Sequence, residues 1–188
     1  MSREEETHPR FLALLRGINV GGKNIVPKDA LRGCFEDMGF SSVRTYIQSG
    51  NILFRSKDTD VPALTEAIER ALSGRFSYKA RAVVLSRKSY RTAVDAAPGD
   101  WGQDDERMHH ALFTLAGADP KGILALLPSP RLEWETVTPG PGVIYWSVSR
   151  ARPTRSTWVK LPASREYQKL TARNHNTVFR LRQLFEEI

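Results

Sequence analysis

Two rhythms of apolar and polar residues alternate along this chain, and the switches between them mark its elements. Phe11 to Leu15 is a compact apolar run that reads as a strand over Arg10 to Arg16. From Pro27 to Met38 the apolar residues Leu31, Cys34, Phe35 and Met38 fall at i, i+3, i+4 and i+7, a helical stripe that stops at Gly39. Strict alternation returns over Ser42 to Gln48, with Val43, Thr45 and Ile47 set against Arg44, Tyr46 and Gln48. Ser49-Gly50-Asn51 predicts a hairpin turn and Ile52 to Arg55 the returning strand. A second helix over Val61 to Leu72 carries Pro62 in its first turn, and a strand over Lys79 to Leu85 follows. The order is βαββαβ, the ferredoxin-like pattern.

Beyond it, Ser86 caps a helix that Pro98-Gly99 ends, and residues 98–107, with Pro, two Gly and four acids, read as a linker. Then come a strand over Met108 to Leu115, a short helix over Asp119 to Leu127, a strand over Arg131 to Thr138, a Pro139–Gly142 turn and a strand over Val143 to Ser149. This βαββ order echoes the first half without a residue-level repeat. Arg150 to Pro162 reads as a basic connection, and a last helix starting near Asn174 shows Val178, Leu181, Phe185 and Ile188 on one face. The predicted fold class is α+β: two ferredoxin-like portions, residues 10–97 and 108–188, after a disordered head at residues 1–9, with a C-terminal helix. Strands one and three are expected as central neighbours, parallel by one argument from element order and antiparallel by the other. The spatial order 4-1-3-2, in which the end of strand one meets the start of strand three, puts the loop after strand one and the Gln48–Asn51 turn on one edge.

Composition narrows the setting. A single cysteine, Cys34, excludes an intrachain disulfide, sits on an apolar helical stripe as a core residue, and suits a reducing compartment. The acidic, polar start is unlike a signal peptide and no apolar run approaches a membrane span, so the expected address is cytoplasmic, with no membrane partner. The net charge of +7 is local: Arg150 to Arg182 holds nine Lys or Arg against one acid, Glu166, so the remainder is close to neutral. Such a patch attracts anions, nucleic acid among them, or is simply a solvated face.

The stretch with the clearest chemistry is Arg16-Gly17-Ile18-Asn19-Val20-Gly21-Gly22-Lys23-Asn24. Three glycines, two asparagines and two cations after a strand describe a turn whose backbone N–H groups can cradle an anion. Gly17 to Lys23 has the spacing of a phosphate-binding P-loop, yet Asn24 replaces the hydroxyl that would hold Mg²⁺. Ile25-Val26-Pro27 also delays the helix, and no later apolar strand ends in aspartate. A true P-loop is therefore not expected.

The residues Ala13 to Asn24, then Thr45-Tyr46-Ile47-Gln48-Ser49-Gly50-Asn51, then Thr171-Ala172-Arg173-Asn174-His175-Asn176-Thr177-Val178 together resemble the bacterial family catalogued as domain of unknown function 1697. The motifs run from the first strand to the last helix, and their combination in this order is specific. His175 is a departure, since the family more often shows tryptophan there. The resemblance implies ferredoxin-like character and no established activity.

Other chemistry finds less support. Strand three, Asn51-Ile52-Leu53-Phe54, lacks the paired aromatics of an RNA-recognition platform, and strand one offers only Phe11. His109 and His110, adjacent on a strand, point to opposite faces and do not share an ion; no metal or cofactor is expected. Glu133 and Glu135, two apart on a strand, share a face that reads as solvated, with acid–base work as the rival reading. No triad and no single nucleophile or base stands out, so whether there is a reaction stays open, as does oligomeric state. The favoured reading is binding of a phosphate- or carboxylate-bearing small molecule, a nucleotide included. Arg16, Lys23 and Arg173 would neutralise charge and Asn19, Gln48, Asn51, Asn174 and Asn176 would orient it. Asn19, Asn51 and Arg173 are expected to line one water-accessible pocket, with helix capping as the rival account of Asn174 and its neighbours. The alternatives are nucleic-acid binding through the basic segment and a protein–protein module.

Overall fold

The computed structural model describes residues 7–19, 22, 24–48 and 50–188; most of the expected head lies outside them. The chain forms two compact units, one running to Tyr90 and completed by Leu181–Ile188, the other Arg91–Arg180. The division falls inside the third helix and not at 98–107. Trp101 explains why that segment is no linker: its ring is only 3% exposed and meets Tyr145 and Phe179 edge-on. A buried indole ties the acidic stretch into the second unit's core.

The first unit runs β1 (Arg10–Leu15), α1 (Lys28–Asp37), β2 (Ser41–Tyr46), β3 (Asn51–Arg55), α2 (Val61–Arg75), β4 (Ala82–Ser86) and the start of α3 (Arg87–Asp95). Its sheet order is β2-β3-β1-β4, with β1 antiparallel to both neighbours. The expected parallel pairing of strands one and three is thereby corrected. A helical crossover returns β2 parallel to β1, and the hairpin then reverses β3 beside β1. Asp60 caps α2 by accepting from the Ala63 N–H at 3.2 Å, with Pro62 in the first turn. The core gathers Phe11, Phe35 and Phe54 with the α1 and α2 stripes; Phe54 stacks on Phe11 and takes the edge of Phe35. Each such ring contributes roughly 1.5–3 kcal/mol through burial. Cys34 belongs to this core, as its place in the helical stripe implies.

The second unit runs from the end of α3 through β5 (Arg107–Thr114), α4 (Pro120–Leu126), β6 (Glu135–Gly140), β7 (Val143–Ser149), β8 (Leu170–Asn174) and the start of α5 (His175–Glu187). Its sheet order, β6-β7-β5-β8, repeats that of the first. The echo of the first half is thus complete, through a strand the periodicity does not reveal: Thr171 and Arg173 lie on β8, and Asn174 ends that strand where α5 begins. Where the first unit has α2, the second has three 3₁₀ turns, Pro153–Arg155, Trp158–Ala163 and Glu166–Lys169. Pro139 and Gly140 extend β6 instead of turning, which an edge strand permits because proline's missing N–H can face outward. No helix among the described residues is long and apolar enough to cross a membrane.

Candidate functional site

In the first unit, strand order brings the loop after β1 and the turn after β2 to one edge. The Leu15 N–H bonds Gly50 O at 2.7 Å, and the Arg16 N–H bonds Arg81 O at 2.9 Å. Ile18 is buried and pins the loop to the core. Asn19 then does the joining: Nδ2 donates to Gln48 O at 2.6 Å and to Val26 O at 3.3 Å, while Oδ1 accepts from the Val26 N–H at 2.8 Å. Asn24 Nδ2 donates to Gly17 O at 2.8 Å, and the Asn19 N–H reaches Asn24 O at 3.1 Å. Loop and turn are one hydrogen-bonded piece.

Its backbone is unusual. Gly17, Asn19, Gly22 and Asn24 in the loop, and Ile47 and Gly50 in the turn, all have positive φ between 48° and 74°. Glycine is required at 50, where a Cβ would stand 2.7 Å from Leu15 Cβ. Asparagine tolerates the left-handed region; a β-branched residue does not, which makes Ile47 (φ 48°) an outlier. Its side chain is 47% exposed, so burial does not offset the strain.

The predicted site residues divide accordingly. Arg16 is half-buried and Gln48 exposed on this edge. Asn19 is half-buried with its amide engaged by backbone. Asn51 is fully buried, its Nδ2 donating to Tyr46 O at 3.0 Å, so it does not line a water-accessible pocket. Lys23 lies outside the described residues. Arg173, Asn174 and Asn176 belong to the second unit. Arg173 is 7% exposed, not an exposed cation: its guanidinium donates to Thr171 Oγ1 at 2.9 Å and Ala172 O at 2.7 Å. Asn174 Oδ1 accepts from the Thr177 N–H at 2.8 Å, capping α5, and Asn176 is exposed in its first turn.

Beside the loop lies a cavity of about 250 Å³ lined by Asn24, Ile25, Val26, Arg75, Phe76 and Tyr78, among others. Arg75 pairs with Asp37 at 2.5 Å. Burial pushes the Tyr78 hydroxyl up to about 12 and raises Cys34, an effect the nearby Arg75 guanidinium opposes. The Tyr78 oxygen is buried without a hydrogen-bond partner.

The second unit buries polar groups that the sequence reading places at its surface or leaves unassigned. Glu135, expected on a solvated face with Glu133, is 1% exposed. Its carboxylate accepts from Trp146 Nε1 at 2.8 Å, the Arg131 N–H at 3.4 Å, and both the N–H and hydroxyl of Thr157. Glu133 stays exposed, ahead of β6. His109 is buried between Ser147 Oγ and Asp104 O, both at 2.8 Å, with the His175 ring 5.4 Å away. His110 is pushed down to about 4, first by burial and then by His109, His175 and Arg150. No group of three or more metal-capable side chains occurs among the described residues.

The sequence signal for Asn24 and the Gly17–Asn24 loop is plain in its composition. Nothing in the sequence marks Ile47 as strained, since that depends on the turn geometry, or Arg75 and Tyr78 as neighbours of the loop.

The family described as "Protein of unknown function (DUF1697)" matches residues 9–145. The solved structure of the conserved bacterial protein SP0830 from Streptococcus pneumoniae is similar, with 30% identity over 94% of this chain and 98% of that one, at a TM-score of 0.84. No curated protein matches the sequence.

Proposed function

The chain belongs to the DUF1697 family, and we propose that its first unit binds a phosphate- or carboxylate-bearing small molecule, a nucleotide among them, along the Gly17–Asn24 and Ile47–Gly50 edge. The observation that carries this reading is Ile47: strain at an exposed β-branched residue persists where a ligand clamp needs a fixed backbone. Arg16 and Lys23 supply positive charge and Gln48 an exposed amide, on a loop whose left-handed turns at Gly17, Asn19, Gly22 and Asn24 bend the backbone sharply. The adjoining cavity of about 250 Å³ offers room for the body of the ligand. Asn19 and Asn51 serve as framework. Arg173, Asn174 and Asn176 are not needed, capping being a sufficient account of Asn174. The reading takes a cytoplasmic setting, in keeping with a single buried thiol.

Calorimetry with inorganic phosphate, pyrophosphate, nucleotides and dicarboxylates tests it. We expect saturable binding that Arg16→Ala weakens about tenfold, the worth of one charge-assisted hydrogen bond. Ile47→Gly should raise stability by about 1 kcal/mol while weakening the same ligand, because the strain is relieved and the clamp loosened. Absence of binding across the panel, or binding indifferent to both substitutions, overturns the reading.

A further inference from the structure

The three 3₁₀ turns between β7 and β8 present Arg152, Arg155, Lys160, Arg165 and Lys169, all exposed. Among the described residues none of the five has a carboxylate partner, whereas Arg44, Arg75, Arg81 and Arg87 in the first unit are all ion-paired. The cations are held on a fixed framework. Buried Glu135 grips Thr157 through both its N–H and its hydroxyl, and Leu161 is buried in the core. Ser156 and Ser164 close successive turns through bonds to Pro153 O and Leu161 O, at 2.6 and 2.8 Å. The guanidinium of Arg155 lies over the half-buried Trp134 ring, 6.0 Å from its centroid. Five exposed cations without carboxylate partners on one short segment, one of them over an aromatic ring, supply the charge and the stacking surface that a single-stranded phosphodiester backbone and its bases need.

We propose that this segment binds single-stranded nucleic acid, with the five cations on the phosphates and Trp134 as a stacking surface. A duplex groove is read by an α-helix or a β-ribbon, and the segment holds neither. A protein partner would want an apolar centre, and among the described side chains of the segment Val159 is the one exposed large hydrophobic. The proposal is independent of the ligand reading for the first unit.

The test is fluorescence anisotropy of the full chain with a labelled oligouridylate of about twenty nucleotides, at about 50 and 200 mM salt. Five phosphate contacts predict that affinity falls about a hundredfold across that range, at a slope of about −0.7 per contact. The triple variant R152A/R155A/K160A should fold normally, with an unchanged circular dichroism spectrum, and show a fall of less than about tenfold. Trp134→Ala should weaken binding about tenfold at fixed salt with the salt slope intact. No saturable binding at the lower salt, an unchanged slope in the triple variant, an intact affinity in Trp134→Ala, or equal binding of polyglutamate would each overturn the proposal.

Discussion

Asn19 and Ile47 share a left-handed backbone, and their side chains explain why one position is comfortable and the other strained. The Asn19 amide makes three bonds to backbone atoms of its own loop and the neighbouring turn, so the conformation is part of a closed network. Ile47 has no polar group to offer and stays half in solvent. The value of asparagine in that loop was legible from the sequence, although the residue holds backbone and does not reach outward. Arg173 misled for a related reason: a cation beside asparagines reads as an anion ligand, and only burial distinguishes it from a structural arginine. Arg173→Ala is expected to destabilise the protein by about 1–3 kcal/mol, because Thr171 and the Ala172 carbonyl lose their buried donor. Urea denaturation would check it; a loss within about 0.5 kcal/mol, the usual range for a surface change, would return Arg173 to the surface.

At the scale of elements, the first unit was readable almost throughout because its helices carry 3.6-residue stripes and its turns carry Gly, Pro and Asn. The second unit was harder. β8 is only five residues long, Leu-Thr-Ala-Arg-Asn, and follows a 3₁₀ turn with no Gly or Pro to announce it. Its pairing with β5, Ala111 opposite Arg173, supplies the order that local pattern lacks. Glu135 shows the converse error, a strand acid placed in solvent by pattern and in the core by its partners. One carboxylate there ties β6 to β7 through Trp146 and to the 3₁₀ segment through Thr157. Glu135→Leu should cost about 3 kcal/mol or more, since an indole N–H, a backbone N–H and a hydroxyl all lose a buried acceptor. Thermal unfolding followed by tryptophan fluorescence would measure the loss, and a shift below about 1 kcal/mol would mean that water replaces the carboxylate without penalty.

For the molecule as a whole, acid is the informative stress. An unfolded chain protonates His110 near its ordinary value of about 6.5, whereas the folded protein does so only near about 4. The contribution is therefore complete above about 6.5 and is lost as pH falls through about 4, with a magnitude on the order of 3 kcal/mol. His175, lowered by burial and by His109, adds in the same direction. Urea midpoints should drop between pH 7 and pH 4.5, and His110→Gln should flatten that dependence; an equal drop in the variant would place the acid sensitivity in His175 and the carboxylates. The division of the chain has a different kind of consequence. Leu181–Ile188 belongs to the first unit, where Phe185 meets Tyr90, Glu186 pairs with Arg87 and the Phe185 carbonyl accepts from Arg10 at 2.8 Å. During translation, at about 5–20 residues per second, the intervening residues 91–180 take on the order of 5–20 s to appear. For that interval the nascent first unit waits on the ribosome without its closing helix turns, with Tyr90 uncovered by its partner ring, and the portion made first is the last to be finished.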